Sequence, residues 1–144
     1  MSAKVAVIGA GNMGANHARV IAASDRAELA VVVDVDAARA ASVAEPLGAV
    51  GETAIERAAE CDAVVIAANT EAHLDIAGPL LEAGVNCLVE KPLADDLAAV
   101  DALIAASEAA DAALMCGFVE RYNPAVVGAR DAVHESAHPR STYS

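Results

Sequence analysis

The sequence has 144 residues, the size of one ordinary domain with room for a proper core. Its apolar fraction of 56% is swollen by alanine, aromatics make up only 2%, and no apolar run reaches the roughly 18 residues of a membrane span. A formal net charge of −12 without any basic patch excludes nucleic acid as a partner, and the expectation is a soluble, cytoplasmic protein outside any membrane.

The chain opens on an apolar run from Lys4 that breaks into Gly9, Gly11 and Gly14 and then an alanine-rich helical pattern. This is strand, tight turn and helix, with the G-x-G-x-x-G spacing. In it, the first glycine permits the turn, the second lets a pyrophosphate approach the backbone, and the third lets helix pack on strand. The helix aims its unpaired N–H groups at the anion. The acidic balance does not oppose this, because distant carboxylates are screened over about 8 Å whereas turn N–H groups touch the phosphate. Met13, His17, Val20 and Ile21 fall on one face of a helix running to about Ala23, so His17 reads as a packed, hydrogen-bonded core histidine, a ligand or catalytic role being the alternative.

Ala27 to Asp34 is a second strand, whose nearly continuous apolar end fits burial on both faces of a parallel sheet. Asp34 lies 20 residues after Gly14, where a dinucleotide fold places its ribose-binding carboxylate. A solvated strand end or a helix cap is the competing reading, but Asp36 is better placed to cap the helix from Ala37 to Glu45. A 2′-phosphate about 4 Å from Asp34 is repelled by roughly 4 kcal/mol per unit charge pair at an effective dielectric of 20. NAD is therefore expected over NADP, with Arg39 the only nearby cation able to rescue the phosphate.

Ala49-Val50 is a short third strand, and Thr53 with Glu56 has the spacing of a capping box for a short helix. Asp62 to Ala68 is a buried strand closed by Asn69 and Thr70, at the sheet end where α/β proteins bind ligands. Those two residues either meet a ligand or cap the next helix, and His73 in its first turn faces either cofactor or solvent. Gly78-Pro79 should kink this helix, and Gly84 ends it. Asn86 to Val89 runs directly into Glu90-Lys91-Pro92, and Lys91 is one of only two lysines. A cation beside a proline-fixed turn at a strand's C-terminal end can orient a substrate hydroxyl or stabilise developing negative charge, the alternative being an exposed turn lysine.

Leu93, Leu97, Val100 and Ile104 mark one face of a long helix, Ala113 to Gly117 is a sixth strand, and a last helix runs from about Pro124 to Val133. Asp131 and His134 could share a metal or a proton, but with no third ligand no metal site is expected. Cys61, Cys87 and Cys116 lack metal-ligand spacing and read as buried, reduced thiols. The alternation of strand and helix predicts an α/β fold: a doubly wound, mainly parallel Rossmann sheet of about six strands with helices on both faces. The dinucleotide-binding domain spans 1–133, and 134–144 is a disordered tail or the start of a further domain.

Taken together, Gly9-Ala-Gly-Asn-Met-Gly14, Asp34, Asn69-Thr70 with His73, Ala83-Gly84 and Glu90-Lys-Pro-Leu93 resemble the N-terminal domain of the Gfo/Idh/MocA oxidoreductases, over about residues 3 to 130. Gly117 to Ala125 resembles the family's lead-in to its second domain, most like members acting on nucleotide sugars such as UDP-N-acetylglucosamine. The resemblance implies an NAD-dependent dehydrogenase passing a hydride between a sugar, nucleotide-sugar or cyclitol hydroxyl and the cofactor. It places the pyrophosphate on Gly9, Gly11 and Gly14 with Asn12 and Met13 between them, and the adenine ribose on Asp34. Asn69, Thr70, His73 and Glu90 join the cofactor site, and Lys91 lies by the nicotinamide and substrate as the catalytic candidate.

The resemblance also implies a second α/β domain, carrying catalytic residues and an oligomer interface, that this sequence does not contain. The expectation is thus cofactor binding with incomplete catalysis. A non-enzymatic dinucleotide-binding module or partner subunit is the alternative. An apolar patch on the sheet's C-terminal side, able to drive homo-oligomer formation, is also expected.

Overall fold

The computed structural model describes residues 2–137, with side chains through residue 133. Six strands form one sheet: β1 (Ala3–Ile8), β2 (Ala27–Val33), β3 (Val50–Glu52), β4 (Ala63–Ile66), β5 (Asn86–Val89) and β6 (Leu114–Cys116). Their spatial order is β3-β2-β1-β4-β5-β6, and every pair is parallel, so the sheet is wholly rather than mainly parallel. The connections carry α1 (Asn12–Ala22), α2 (Ala37–Ala44), α3 (His73–Glu82) and α4 (Leu97–Ala110), and α5 (Pro124–Ala137) follows the last strand. The order reverses between β1 and β4, and in such a sheet the crevice at the strands' C-terminal ends there is the ligand-binding position.

Both sheet faces are covered, which explains the unbroken apolar runs. Ala6, Ile8, Val31, Val64, Ile66 and Val89 point into one layer with Leu80, Leu81 and Leu103 of α3 and α4. Val5, Val7, Leu29, Val32 and Val65 point into the other, with Ala18 of α1 and Ala44 of α2. Leu29 and Val32 share a layer although three apart, because the register slips by one residue between Val5 and Ala6.

The helix faces differ from their expected ones. In α1 the buried residues are Gly14 and Ala18, while Met13 and Val20 are exposed. In α4 they are Ala99 and Leu103, while Leu97 is 81% exposed. Helices that approach a sheet closely do so on their small residues, so ranking side chains by size picks the flank rather than the contact. That helix also begins at Leu97 rather than Leu93, because Asp96 caps it, its Oδ1 accepting the Ala99 N–H at 2.7 Å. Leu93 instead packs against the core from a loop entered through the cis Lys91–Pro92 peptide.

Asp36 caps α2 as expected, accepting the N–H groups of Ala38 and Arg39. Thr53 caps nothing: a short 3-10 turn forms only at Ala58–Glu60. The third helix runs through Pro79 from His73 to Glu82. The last reaches Ala137, past the expected end at Val133, whereas residues 138–144 and the His134 side chain lie outside the described residues. Beyond the end of β6, Phe118 and Tyr122 are exposed at 58% and 72%.

Candidate functional site

The glycine turn is built as its spacing requires. Gly9 has φ +95, and a Cβ there would lie 2.5 Å from the Ala67 carbonyl oxygen of β4's continuation, so the turn and the neighbouring strand end are in backbone contact. A Cβ on Gly14 would meet the Gly9 carbonyl oxygen at 1.7 Å, which no side chain survives. By contrast, a Cβ on Gly11 would meet nothing within 4 Å. The space above Gly11 is therefore open, beside a helix start where the first intrahelical bond runs from Ala15 N–H to Gly11 O. The N–H groups of Asn12, Met13 and Gly14 precede that bond and have no helical acceptor. This is the geometry a pyrophosphate needs, and the residues present fit it.

Asp34 stands where β2 ends, only 7% exposed. Its Oδ2 accepts the Ala10 N–H at 2.8 Å, and its Oδ1 accepts the Asp36 N–H at 3.0 Å and faces Arg39 Nη1 at 3.4 Å. The carboxylate is thus fixed by the turn it serves. Gly9, Gly11, Asp34, Arg39 and Asn69 line one open groove of about 410 Å³, walled by apolar Ile8, Val35, Ile55 and Ile76. Asn69 is exposed and its side chain makes no capping bond, which leaves its amide available in the groove. Thr53 lines the groove too. Its signal in the sequence was its place after β3, at the same sheet end as the glycines, rather than its capping spacing.

The remaining expected site residues stand outside that groove lining. His73 faces neither cofactor groove nor solvent: it is 1% exposed, with Nδ1 at 3.1 and 3.2 Å from the carbonyl oxygens of Pro92 and Leu93 and Nε2 at 3.2 Å from that of Ala68. It fastens the loop after Lys91 to the end of β4, because a helix's first turn packed under a loop is enclosed on both sides. Thr70 begins the short turn ahead of α3. Lys91 is exposed, and its ammonium makes no ion pair among the described residues.

Glu90 is buried at 7% exposure, its backbone N–H bonded to the Ile66 carbonyl and its Oε1 only 2.7 Å from Nε2 of His17. His17 is hydrogen-bonded as expected but not fully in the core: it sits midway along α1 with 18% of its side chain exposed, paired to the residue beside Lys91. That partnership crosses 73 positions of sequence. The three thiols are unpaired, Cys61 and Cys87 buried and Cys116 only partly so. No group of three metal-binding side chains occurs among the described residues.

The strand order, the glycine turn against β4 and the strand-end acid together define a dinucleotide-binding Rossmann domain. Residues 3–118 match the model of the oxidoreductase family, NAD-binding Rossmann fold, and the chain belongs to this Gfo/Idh/MocA family. It is 38% identical over 130 residues to a UDP-N-acetylglucosamine 3-dehydrogenase of Acidithiobacillus ferrooxidans, covering 90% of this chain and 41% of that protein. An inositol 2-dehydrogenase of Rhizobium meliloti is 34% identical over 137 residues, covering 94% and 42%.

Among solved structures, the Acidithiobacillus enzyme superimposes with a TM-score of 0.85 at 36% identity, over 92% of this chain and 44% of that one. GenD2 from gentamicin A biosynthesis, in complex with NAD, gives 0.87 at 35% identity, over 91% and 38%. The chain thus spans about two fifths of the length of the relatives it matches. No helix among the described residues is long and apolar enough to cross a membrane.

Proposed function

We propose that this chain forms the cofactor-binding part, residues 1–133, of a cytoplasmic NAD-dependent dehydrogenase acting on a hydroxyl of a sugar, nucleotide sugar or cyclitol. One observation carries the reading: the open glycine turn, the fixed Asp34 carboxylate and the Lys91 turn all stand at the C-terminal ends of one parallel sheet. Gly9, Gly11 and the free N–H groups of Asn12 to Gly14 hold the pyrophosphate, and Asp34 accepts from the adenosine ribose. Asn69 and Thr70 close the same side. When bound, NAD supplies the hydride acceptor.

Lys91, exposed and without an ion pair among the described residues, donates to the substrate hydroxyl oxygen and stabilises the negative charge that develops there. Relatives named for UDP-N-acetylglucosamine and inositol support the substrate class. The exposed Phe118 and Tyr122 support association of copies or of a further domain beyond β6.

The test is thermal unfolding with NAD. At a hundredfold excess over Kd a ligand stabilises by about 2.7 kcal/mol, a shift of roughly 5–10 °C for a domain of this size. No shift ends the cofactor-binding reading. Binding without NADH formation from inositol or UDP-N-acetylglucosamine is the result expected of a cofactor-binding part alone, and NADH formation would show that this part turns over by itself.

A further inference from the structure

The pair formed by His17 and Glu90 belongs to neither the groove nor either core layer, yet it is closely built. Glu90 is an acceptor-only carboxylate when ionised, so the ring N–H at Nε2 of His17 is the donor across the 2.7 Å contact. The other oxygen, Oε2, accepts the backbone N–H of Lys91 at 3.2 Å. Behind the carboxylate lies Gly117, where a Cβ would stand 3.0 Å from the carboxyl carbon and from Oε2. The carboxylate is therefore held from three sides: by the helix that starts at the glycine turn, by the peptide of Lys91, and by the backbone just after β6. His17 is three residues past Gly14, so the bond ties the pyrophosphate end of the site to the Lys91 end.

We propose that His17 is a positioning residue, which through Glu90 sets the Lys91 turn relative to the glycine turn so that both halves of a bound dinucleotide are met at once. This rests on the cofactor-binding reading above. A structural bridge alone would stabilise the fold and leave ligand preference unchanged. A positioning bridge separates the cofactor's halves: contacts to ADP-ribose depend on the glycine turn and Asp34, and the added affinity of the nicotinamide half depends on the Lys91 turn.

Calorimetric titration of this chain with NAD and with ADP-ribose, which lacks the nicotinamide, distinguishes the two. Expected for the wild type is tighter binding of NAD. His17→Ala and Glu90→Ala, which remove the bond outright, should each lose at least fivefold in NAD affinity with less than twofold change for ADP-ribose. The double variant should be no worse than either, as for groups acting through one bond. His17→Gln, whose amide nitrogen can stand where Nε2 does, should restore the preference. Gly117→Ala presses on the carboxylate from the opposite side and should reproduce the loss, which keeps the test open if His17→Ala fails to fold.

Equal losses for both ligands, no loss for either, or a wild type that binds both equally overturns the proposal. A wild type that binds neither ligand shows earlier and separately that the cofactor-binding reading has failed, and the proposal falls with it.

Discussion

Asp34 and Ala10 are joined by a 2.8 Å hydrogen bond in which the carboxylate at the end of β2 accepts an N–H from inside the glycine turn. The acid proposed to hold the ribose thus also braces the loop proposed to hold the phosphates. Replacing it removes two functions together. Asp34→Ala leaves the buried Ala10 N–H without its partner, a loss of about 1–3 kcal/mol. Urea denaturation should show that loss without cofactor present, and titration should show NAD binding weakened at least tenfold. Weakened binding with unchanged stability would mean that the Ala10 bond contributes nothing.

If Asp34 holds the ribose as proposed, the same carboxylate should govern the choice between cofactors. A 2′-phosphate about 4 Å away is opposed by roughly 4 kcal/mol per unit charge pair at an effective dielectric of 20. Arg39, 3.4 Å from Asp34 Oδ1 but half exposed, offsets only part of this. NAD should bind at least tenfold tighter than NADP, and Arg39→Ala should widen the gap. Equal or tighter NADP binding in parallel titrations would sink the assignment of Asp34 to the ribose.

The glycines separate folding from binding. At Gly14 an added methyl would lie 1.7 Å from the Gly9 carbonyl oxygen, so α1 must shift off the turn. Gly14→Ala should cost 3 kcal/mol or more, at the upper end of overpacking effects of about 1–3 kcal/mol. At Gly11 the methyl enters open space at φ −72, an ordinary conformation. Gly11→Ala should stay within about 1 kcal/mol of the wild type, the scale of a lost N-cap preference, yet bind NAD at least tenfold more weakly. If Gly11→Ala binds NAD normally, the pyrophosphate does not lie over that residue.

His73 is a test of structure rather than binding. Its two ring nitrogens face the carbonyls of Pro92 and Leu93 on one side and of Ala68 on the other, and a neutral ring carries one N–H, so His73→Leu strands the acceptor which that N–H serves. The expected loss is about 1–3 kcal/mol, the penalty of one stranded buried group. Hydrogen exchange should speed up in the segment from Leu93 to Leu97. Unchanged exchange there would show that the loop is held by other contacts.

The strands were legible because a parallel sheet buried on both faces writes itself as continuous apolar runs such as Val31 to Val33 and Val64 to Ile66. The turn at Gly9 and Gly14 and the place of Asp34 at the end of β2 were legible because backbone clashes admit few residue types and the apolar run stops at a charge. The contact faces of α1 and α4 were not, since Gly14, Ala18 and Ala99 make the approach by being small, and smallness is everywhere in an alanine-rich chain. A hydrogen-bonded His17 was expected, but the identity of its partner escaped for another reason. Its partner lies 73 residues away, and local periodicity carries no trace of a bond that only the sheet order creates. Thr53 was misjudged because capping spacing is a local signal that the bend after β3 overrides.

Cys87 gives the fold an alkaline limit. Its thiol is 3% exposed beside the Val85 carbonyl, and burial pushes it up from 9.0 to about 11. The folded state therefore keeps its proton at a pH where the unfolded chain has released it. The stabilisation is complete below pH 9 and is lost as pH rises through about 11. A shift of that size corresponds to about 2–3 kcal/mol. Stability curves in urea at pH 8 and pH 11 should show the wild type losing that much more than Cys87→Ala, in which the linked proton is absent while every other titrating group remains. Parallel losses in the two proteins would show that Cys87 titrates alike in folded and unfolded chains.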